Sequence, residues 1–429
     1  MERILLPALD RVPASPIGGK PPRRYYLDWL RVIAVSLLLI YHANLIFEPD
    51  MWWMIKSDEV SPLIGQFDYM VSQWRLPLLF LVSGVSTNYM LGSRSGRVYV
   101  YERVKRLIIP LVAATLLLLP LQAYFATLHQ AVKAGATPLI SLGEFLPMHF
   151  GVMLTEKKIP LEHLWFLAYL FIYSVLALPL FLGIRRFNQQ PQLGWMHAIL
   201  ASRFSILLMS IPMVLLQVVV LFVLPEVPGV PQRIVEYLGE HIVRYGYFLF
   251  FVYGFIIATN DNLNQTMLRQ RHVSLGLAIS AFTAHALFAP FSHGLLAVVV
   301  MSVNAWLWVV AILGYAQIFL SRPNALLRYA TELVAPFYII HMPVLFMVSF
   351  FVLQWTAPLP LKLAAIILGT FSLTALFCEL VRRNDVSRFL FGMNSLAKAR
   401  ARRQERADKP RALAKLDPAQ PQRVADHKD

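Results

Sequence analysis

The sequence predicts an all-α fold, a polytopic membrane bundle of about ten helices, and three observations predict it. Apolar residues make up 57% of the 429 and charged residues 15%, with a mean hydropathy of +0.57. That composition outweighs the two or three soluble domains the length alone would favour. Apolar runs of roughly 18 or more residues, enough helix to cross about 30 Å of hydrocarbon, recur along almost the whole chain. They are continuous, without the alternation of polar and apolar residues that a membrane barrel needs.

The expected spans are 26–47, 66–91, 107–129, 163–183, 204–225, 242–259, 273–290, 294–320, 332–354 and 360–381. Residues 1–24 are polar and basic, and the first apolar run is too long for a signal-peptide core and lacks a small-residue cleavage site, so it stays as helix one. With the N-terminus cytoplasmic, about 30 of the Lys and Arg fall on the inner side, as the positive-inside rule requires, and both termini are inside. Arg23-Arg24, Arg185-Arg186 and Arg382-Arg383 mark the inner boundary, and Trp52-Trp53 suits an outer aromatic belt. The net charge of +15 is thus accounted for by position in the bilayer, and no nucleic-acid partner is expected. Two outer loops are long, 130–162 and 226–241, and Pro138, Pro147 and Pro160 exclude one continuous helix in the first. The organisation is then a cytoplasmic N-terminal segment at 1–24, a transmembrane domain at 25–385 and a basic tail at 386–429. That tail is expected to be disordered and to associate with anionic lipid. The single cysteine, Cys378, excludes a disulfide framework and a thiolate metal site, and no metal is expected.

Function is sought in the residues a bilayer disfavours, since each ionisable group inside a span costs roughly 2.5–3.5 kcal/mol on insertion scales. Helix one carries three. Asp28 and Arg31 are three apart and share a face, which suits an ion pair; they read either as snorkelling anchors or as a functional pair. Arg31 and His42 are eleven apart, close to three whole turns and about 16 Å of rise, so they point the same way at different depths. A histidine deep in a span is a general-base candidate, because its ordinary pKa lies near neutrality. Helix two adds Arg75, the proline Pro77, which frees a backbone carbonyl, and Ser83-Gly84. Arg103 and Arg106 precede helix three, where guanidinium groups suit phosphate, although any inner loop is basic. Further on lie His163 and Trp165 at the start of helix four, His341 and Pro343 inside helix nine, and Glu379 near the inner end of helix ten. On residues alone His163 suits an ordinary interfacial position, whereas mid-span His341 and the acid Glu379 ask for a role.

Together these motifs resemble the membrane-bound acyltransferase family 3: Arg31-x10-His42, Ser83-Gly84, Arg103-x-x-Arg106, His163-Leu-Trp165-Phe-Leu and Tyr338-x-x-His341-x-Pro343 stand in order on consistent sides of the membrane. The resemblance covers roughly residues 25 to 385. Within the family, Arg24-Tyr-Tyr-Leu-Asp28, residues 103–110 and Phe377-Cys-Glu379 are most similar to the glucan biosynthesis protein C group, implicated in succinylating periplasmic glucans. One departure is visible: His341-Met342-Pro343 stands where that group tends to have His-His-Pro.

The resemblance implies a bacterial inner-membrane enzyme that moves an acyl group, succinyl or acetyl, from cytoplasmic acyl-coenzyme A to a hydroxyl of a periplasmic or envelope glycan. No tightly bound cofactor is implied; succinyl-CoA or acetyl-CoA acts as co-substrate. Arg103, Arg106 and Arg31 would hold the donor phosphates, His42 would deprotonate the hydroxyl or carry the acyl group, and Arg75 or Ser83 would stabilise the oxyanion. Asp28, His341 and Glu379 would complete the catalytic set, and His163 and Trp165 would contact substrate. The rival class is a transporter or flippase, which intramembrane Asp, Arg, His and Glu also mark, although no inverted repeat is visible.

Overall fold

A computed structural model describes residues 23–136, 140–156, 160–187, 205–228, 230–287 and 294–401, with Ser202 and Gln404 besides. Most of the N-terminal segment, Pro138 and the tail beyond Gln404 lie outside the described residues. Every described element is helical. In chain order these are α1 (Tyr25–Asn44), α2 (Pro62–Ser72), α3 (Arg75–Leu91), α4 (Gly96–Arg103), α5 (Ile109–Leu117), α6 (Leu119–Lys133), α7 (Leu142–Glu156), α8 (Trp165–Leu176) and α9 (Leu178–Phe187). There follow α10 (Ser205–Val218), α11 (Gln232–Thr259), α12 (Asp261–Leu287), α13 (Leu295–Phe319), α14 (Ala325–Val352), α15 (Leu359–Val381) and α16 (Asp385–Leu390).

A helix stands at each of the ten expected spans, but not all ten are spans by length and composition. Among the described residues seven are long and apolar enough to cross a membrane, or eight if α8 and α9, bent by 45° at Ala177, count as one. Two of the expected ten fall short. The helix α3 has only 17 residues, and of the span expected at 273–290 the described part ends at Leu287. Prolines explain the breaks. Pro110 removes the N–H that would bond the Arg106 carbonyl, and the chain passes from α4 to α5 through a π-turn at Val104–Ile108. Pro120 follows the kink at Leu118 in the same way.

Lipid tails give apolar helices no reason to prefer one another, so membrane helices associate through close packing of small residues. Gly84 on α3 and Gly254 on α11 do this reciprocally: a Cβ on Gly84 would stand 1.9 Å from the Phe251 carbonyl oxygen, and one on Gly254 1.9 Å from that of Leu81. The Ser83-Gly84 motif is therefore, at its glycine, a helix-packing device. Around this seam Leu38, Leu78, Phe80, Phe250 and Trp306 build one buried core. Against it α1 lies beside α14, and that pairing brings the two ends of the molecule's chemistry together. Residues 386–394, which the sequence assigned to the tail, complete α16 and a turn packed on the bundle, with Arg388 buried on Glu332 at 2.8 Å.

Candidate active site

The register of α1 decides the site. Its first turns carry Asp28 and Arg31 at the basic end of the bundle, its last turn carries His42, and the eleven-residue spacing keeps Arg31 and His42 on one face. At the basic end Asp28 accepts from Arg23 Nε at 2.7 Å and lies 3.7 Å from Arg31 Nη1. Arg31 donates to Ser86 Oγ at 2.7 Å. A cavity of about 740 Å³ opens there, and Arg23, Arg31, Arg106 and Arg328 line it with Asp28 and Glu332. Arg106 is oriented by Glu102 at 3.3 Å and by Asn394 at 2.9 Å. Arg103 is not in that cavity. It points into the bundle, donates to Thr87 Oγ1 at 2.6 Å and stacks on Tyr99 with its Cζ 5.0 Å from the ring centre. The two arginines are three positions apart, and the second lies within the π-turn, so they face different surroundings.

About three turns higher, α1 meets α14. His42 Nδ1 is 3.1 Å from His341 Nε2, and His341 Nδ1 is 2.6 Å from the Tyr338 carbonyl oxygen. A carbonyl only accepts, so His341 carries its proton on Nδ1 and presents a lone pair at Nε2. His42 must then donate from Nδ1, which leaves its Nε2 with the lone pair a general base requires. His341 takes the orienting place that a carboxylate holds in a hydrolase triad. His163 is explained by Pro343. The proline has no N–H for the Ile339 carbonyl one turn back, and His163 Nε2 donates to that oxygen at 3.2 Å. Its ring stands edge-on to His341 at 5.4 Å, and Tyr338 Oη donates to the His163 carbonyl. His42 and His341 bond to each other and His341 and His163 to carbonyls, and among the described residues no group of three metal-ligating side chains converges on a point.

Arg75 reaches the same level from α3. It is 3% exposed, its Cζ is 3.8 Å from the centre of the Tyr41 ring, and its Nε and Nη1 have no hydrogen-bond partner. Its charge is felt at both His42 and His341. Trp165 stands further off, stacked on Tyr247 with ring centres 6.0 Å apart. Ser83 does not reach the histidines with a free hydroxyl: it donates to the Leu79 carbonyl at 2.8 Å, and one turn on it is Ser86 that serves Arg31. Glu379 is corrected most plainly. It is ion-paired with Arg382 at 2.8 Å and accepts from Tyr329, which lies twelve residues, about 18 Å of helix, from His341 on α14. Its partner Tyr329, not Glu379 itself, lines the basic cavity.

The far end holds what sequence reasoning missed. Trp53 is no belt residue: its indole stacks on His42, ring centres 5.6 Å apart, while Trp52 beside it is 77% exposed. Asn44 donates to buried Asp68 at 2.8 Å. Asp68 lay inside an expected span, and the rule that singled out Arg75 applied to it equally. The loop bearing Trp53 is tied down by Asp58–Lys133 at 2.9 Å and Glu59–Lys362 at 3.1 Å. The Lys133 hydrogen bond and charge hold the Asp58 carboxyl below the usual carboxylate range, and burial pulls the Lys56 ammonium down against the pull of Glu48.

Comparison with known proteins agrees with this geometry. Residues 24–379 match the acyltransferase 3 family model, described as an acyltransferase domain. The chain is similar to proteins named glucans biosynthesis protein C from Escherichia coli. For that of strain SMS-3-5 the identity is 29% over 164 residues, covering 38% of this chain and 40% of the relative. The same figures hold for those of strains 536 and K12 / DH10B. The match thus spans 40% of the length of these relatives. No solved structure matches. A basic cavity, an oriented imidazole three turns above it and a family model that fills residues 24–379 lead to one conclusion: the chain belongs to the acyltransferase 3 family.

Proposed function

We propose that the protein is an inner-membrane O-acyltransferase, both termini cytoplasmic, that moves a succinyl or acetyl group from acyl-coenzyme A to a hydroxyl of a periplasmic or envelope glycan. The observation that carries the reading is the proton order Tyr338 carbonyl, His341, His42, which leaves His42 Nε2 free to accept a proton. The donor enters at the basic end, its phosphates on Arg31, Arg106, Arg23 and Arg328. Ala335, the innermost lining residue on α14, is six residues, about 9 Å, below His341, so the thioester arm has a short remaining path. The glycan hydroxyl arrives from the other end. Its oxygen attacks the thioester carbon while His42 Nε2 takes its proton. The C–S bond then breaks, and the departing thiolate recovers that proton from His42. Arg75, with two donors unused, supports the oxyanion. His341 is a positioning residue, and Arg103 and Glu379 are structural supports of the basic end.

The experiment is incubation of the purified protein with acyl-labelled coenzyme A and glycan from cells lacking it. Label bound covalently to glycan is the expected result. Glycan moved across a vesicle membrane without modification would replace this reading with a transporter.

A further inference from the structure

Arg75, whose charge reaches His42, and Asp68, whose charge reaches Arg75, are buried groups of opposite charge that stand unsatisfied without pairing to each other. Asp68 accepts from Asn44 through Oδ1, but its Oδ2 has no partner. Arg75 leaves Nε and Nη1 without partners. Both residues are under 5% exposed, at 4% and 3%, and each lies within the other's electrostatic reach. A buried polar atom left without a partner is unfavourable, and more so when charged. Three such atoms on two residues within each other's electrostatic reach call for a ligand that supplies both donors and acceptors.

Charge narrows the class. An anion drawn to Arg75 would meet Asp68 and, behind it, Glu48, whose charge also reaches Asp68. A cation drawn to Asp68 would meet Arg75. A neutral diol fits both: one hydroxyl donates to Asp68 Oδ2 and its neighbour accepts from Arg75 Nε, which leaves Arg75 Nη1 for the oxyanion. Position narrows it further. Asn44, which holds the Asp68 carboxylate, follows His42 by two residues in the last turn of α1, and Arg75 stacks on Tyr41, the residue before His42. Arg75, whose charge also reaches His42, ties the diol's contacts to the base.

We infer that Asn44, Asp68 and Arg75 form the acceptor subsite, holding neighbouring hydroxyls of a neutral sugar so that one of them faces His42 Nε2. The inference rests on the acyltransferase reading and names the residues that select its acceptor.

The test uses the full-length protein in lipid nanodiscs, acyl-labelled coenzyme A, and glucan prepared from cells lacking the protein. Asp68→Asn and Asn44→Ala should each raise the KM for glucan by about 10-fold or more, the change expected from losing about 1.4 kcal/mol of contact, with the donor KM unmoved. Asp68→Glu, which keeps the carboxylate, should recover part of the loss. Calorimetric titration of glucan onto unreacted protein is the second arm: wild type binds, and Asp68→Asn binds about 10-fold more weakly. An unchanged glucan KM in both Asp68→Asn and Asn44→Ala, or equal binding by wild type and Asp68→Asn, overturns the subsite. Wild-type protein that binds glucan yet transfers no label refutes the acyltransferase reading, and the binding arm still decides the subsite.

Discussion

His42 Nδ1 stands 3.1 Å from His341 Nε2, and the Tyr338 carbonyl on the far side of His341 turns that distance into a direction. Because the carbonyl claims the Nδ1 proton of His341, His42 can only donate to it. Backbone geometry on α14 thereby sets the tautomer of a residue on α1.

His341→Phe removes the acceptor for His42 and frees its ring to take the wrong tautomer. The turnover number should fall by about 100-fold or more, within the range that positioned acid–base groups contribute, with both KM values nearly unchanged. His341→Gln keeps a carbonyl acceptor within reach and should recover part of the rate. Equal losses in the two variants would mean that His341 only fills space.

His163 and Pro343 should be energetically coupled. His163→Ala leaves the Ile339 carbonyl without a partner, at a cost of about 1–3 kcal/mol, read as a lower melting temperature in detergent. Pro343→Ala restores the helix N–H for that carbonyl, so the double variant should melt above His163→Ala alone. Additive losses would contradict the pairing.

At the α3–α11 seam, Gly84→Ala would place a methyl 1.9 Å from the Phe251 carbonyl oxygen. Backbone cannot step aside as a side chain can, so the helices must part, and the destabilisation should reach at least the roughly 1–3 kcal/mol typical of overpacking. Ser83→Ala, one residue away with its hydroxyl turned to Leu79, should be well tolerated. Yield of folded protein from the membrane separates the two.

Donor binding should track the cavity arginines unevenly. Arg106→Glu and Arg328→Glu should raise the acyl-coenzyme A KM by about 10-fold each, since charge-assisted contacts to phosphate contribute about 1.5–3 kcal/mol, and leave the glucan KM alone. Arg103→Lys should instead lower thermal stability, because its site at Thr87 and Tyr99 is buried. A donor-KM effect from Arg103→Lys in a protein of normal melting temperature would return it to the binding site.

What could be read from the chain followed helix periodicity. The spacing of Arg31 and His42 placed them on one face, and the mid-span position of His341 marked it, because both are local facts of a helix. The partners were not local. His163 finds a carbonyl 176 residues away, and nothing in its own segment points to Pro343 as the cause. Arg103 and Arg106 read as a pair until the π-turn that Pro110 imposes sends them apart. Trp52 and Trp53 are identical neighbours in sequence, yet one faces outward and the other covers His42. Glu379 drew attention as an acid in an apolar run, but Arg382, three residues on, was already its partner. Ten apolar stretches were legible, and among the described residues seven or eight of them stand as helices long and apolar enough to cross a bilayer.

The most direct test of the account is transfer of labelled acyl groups from acyl-coenzyme A to glucan by the His42→Gln variant, purified in the same amount and with the same melting temperature as wild type. The account predicts loss of transfer to at most about one hundredth of the wild-type rate, with coenzyme A still bound at the basic cavity. Transfer at a near-normal rate would show that the proton is taken elsewhere and would remove His42 from the reaction.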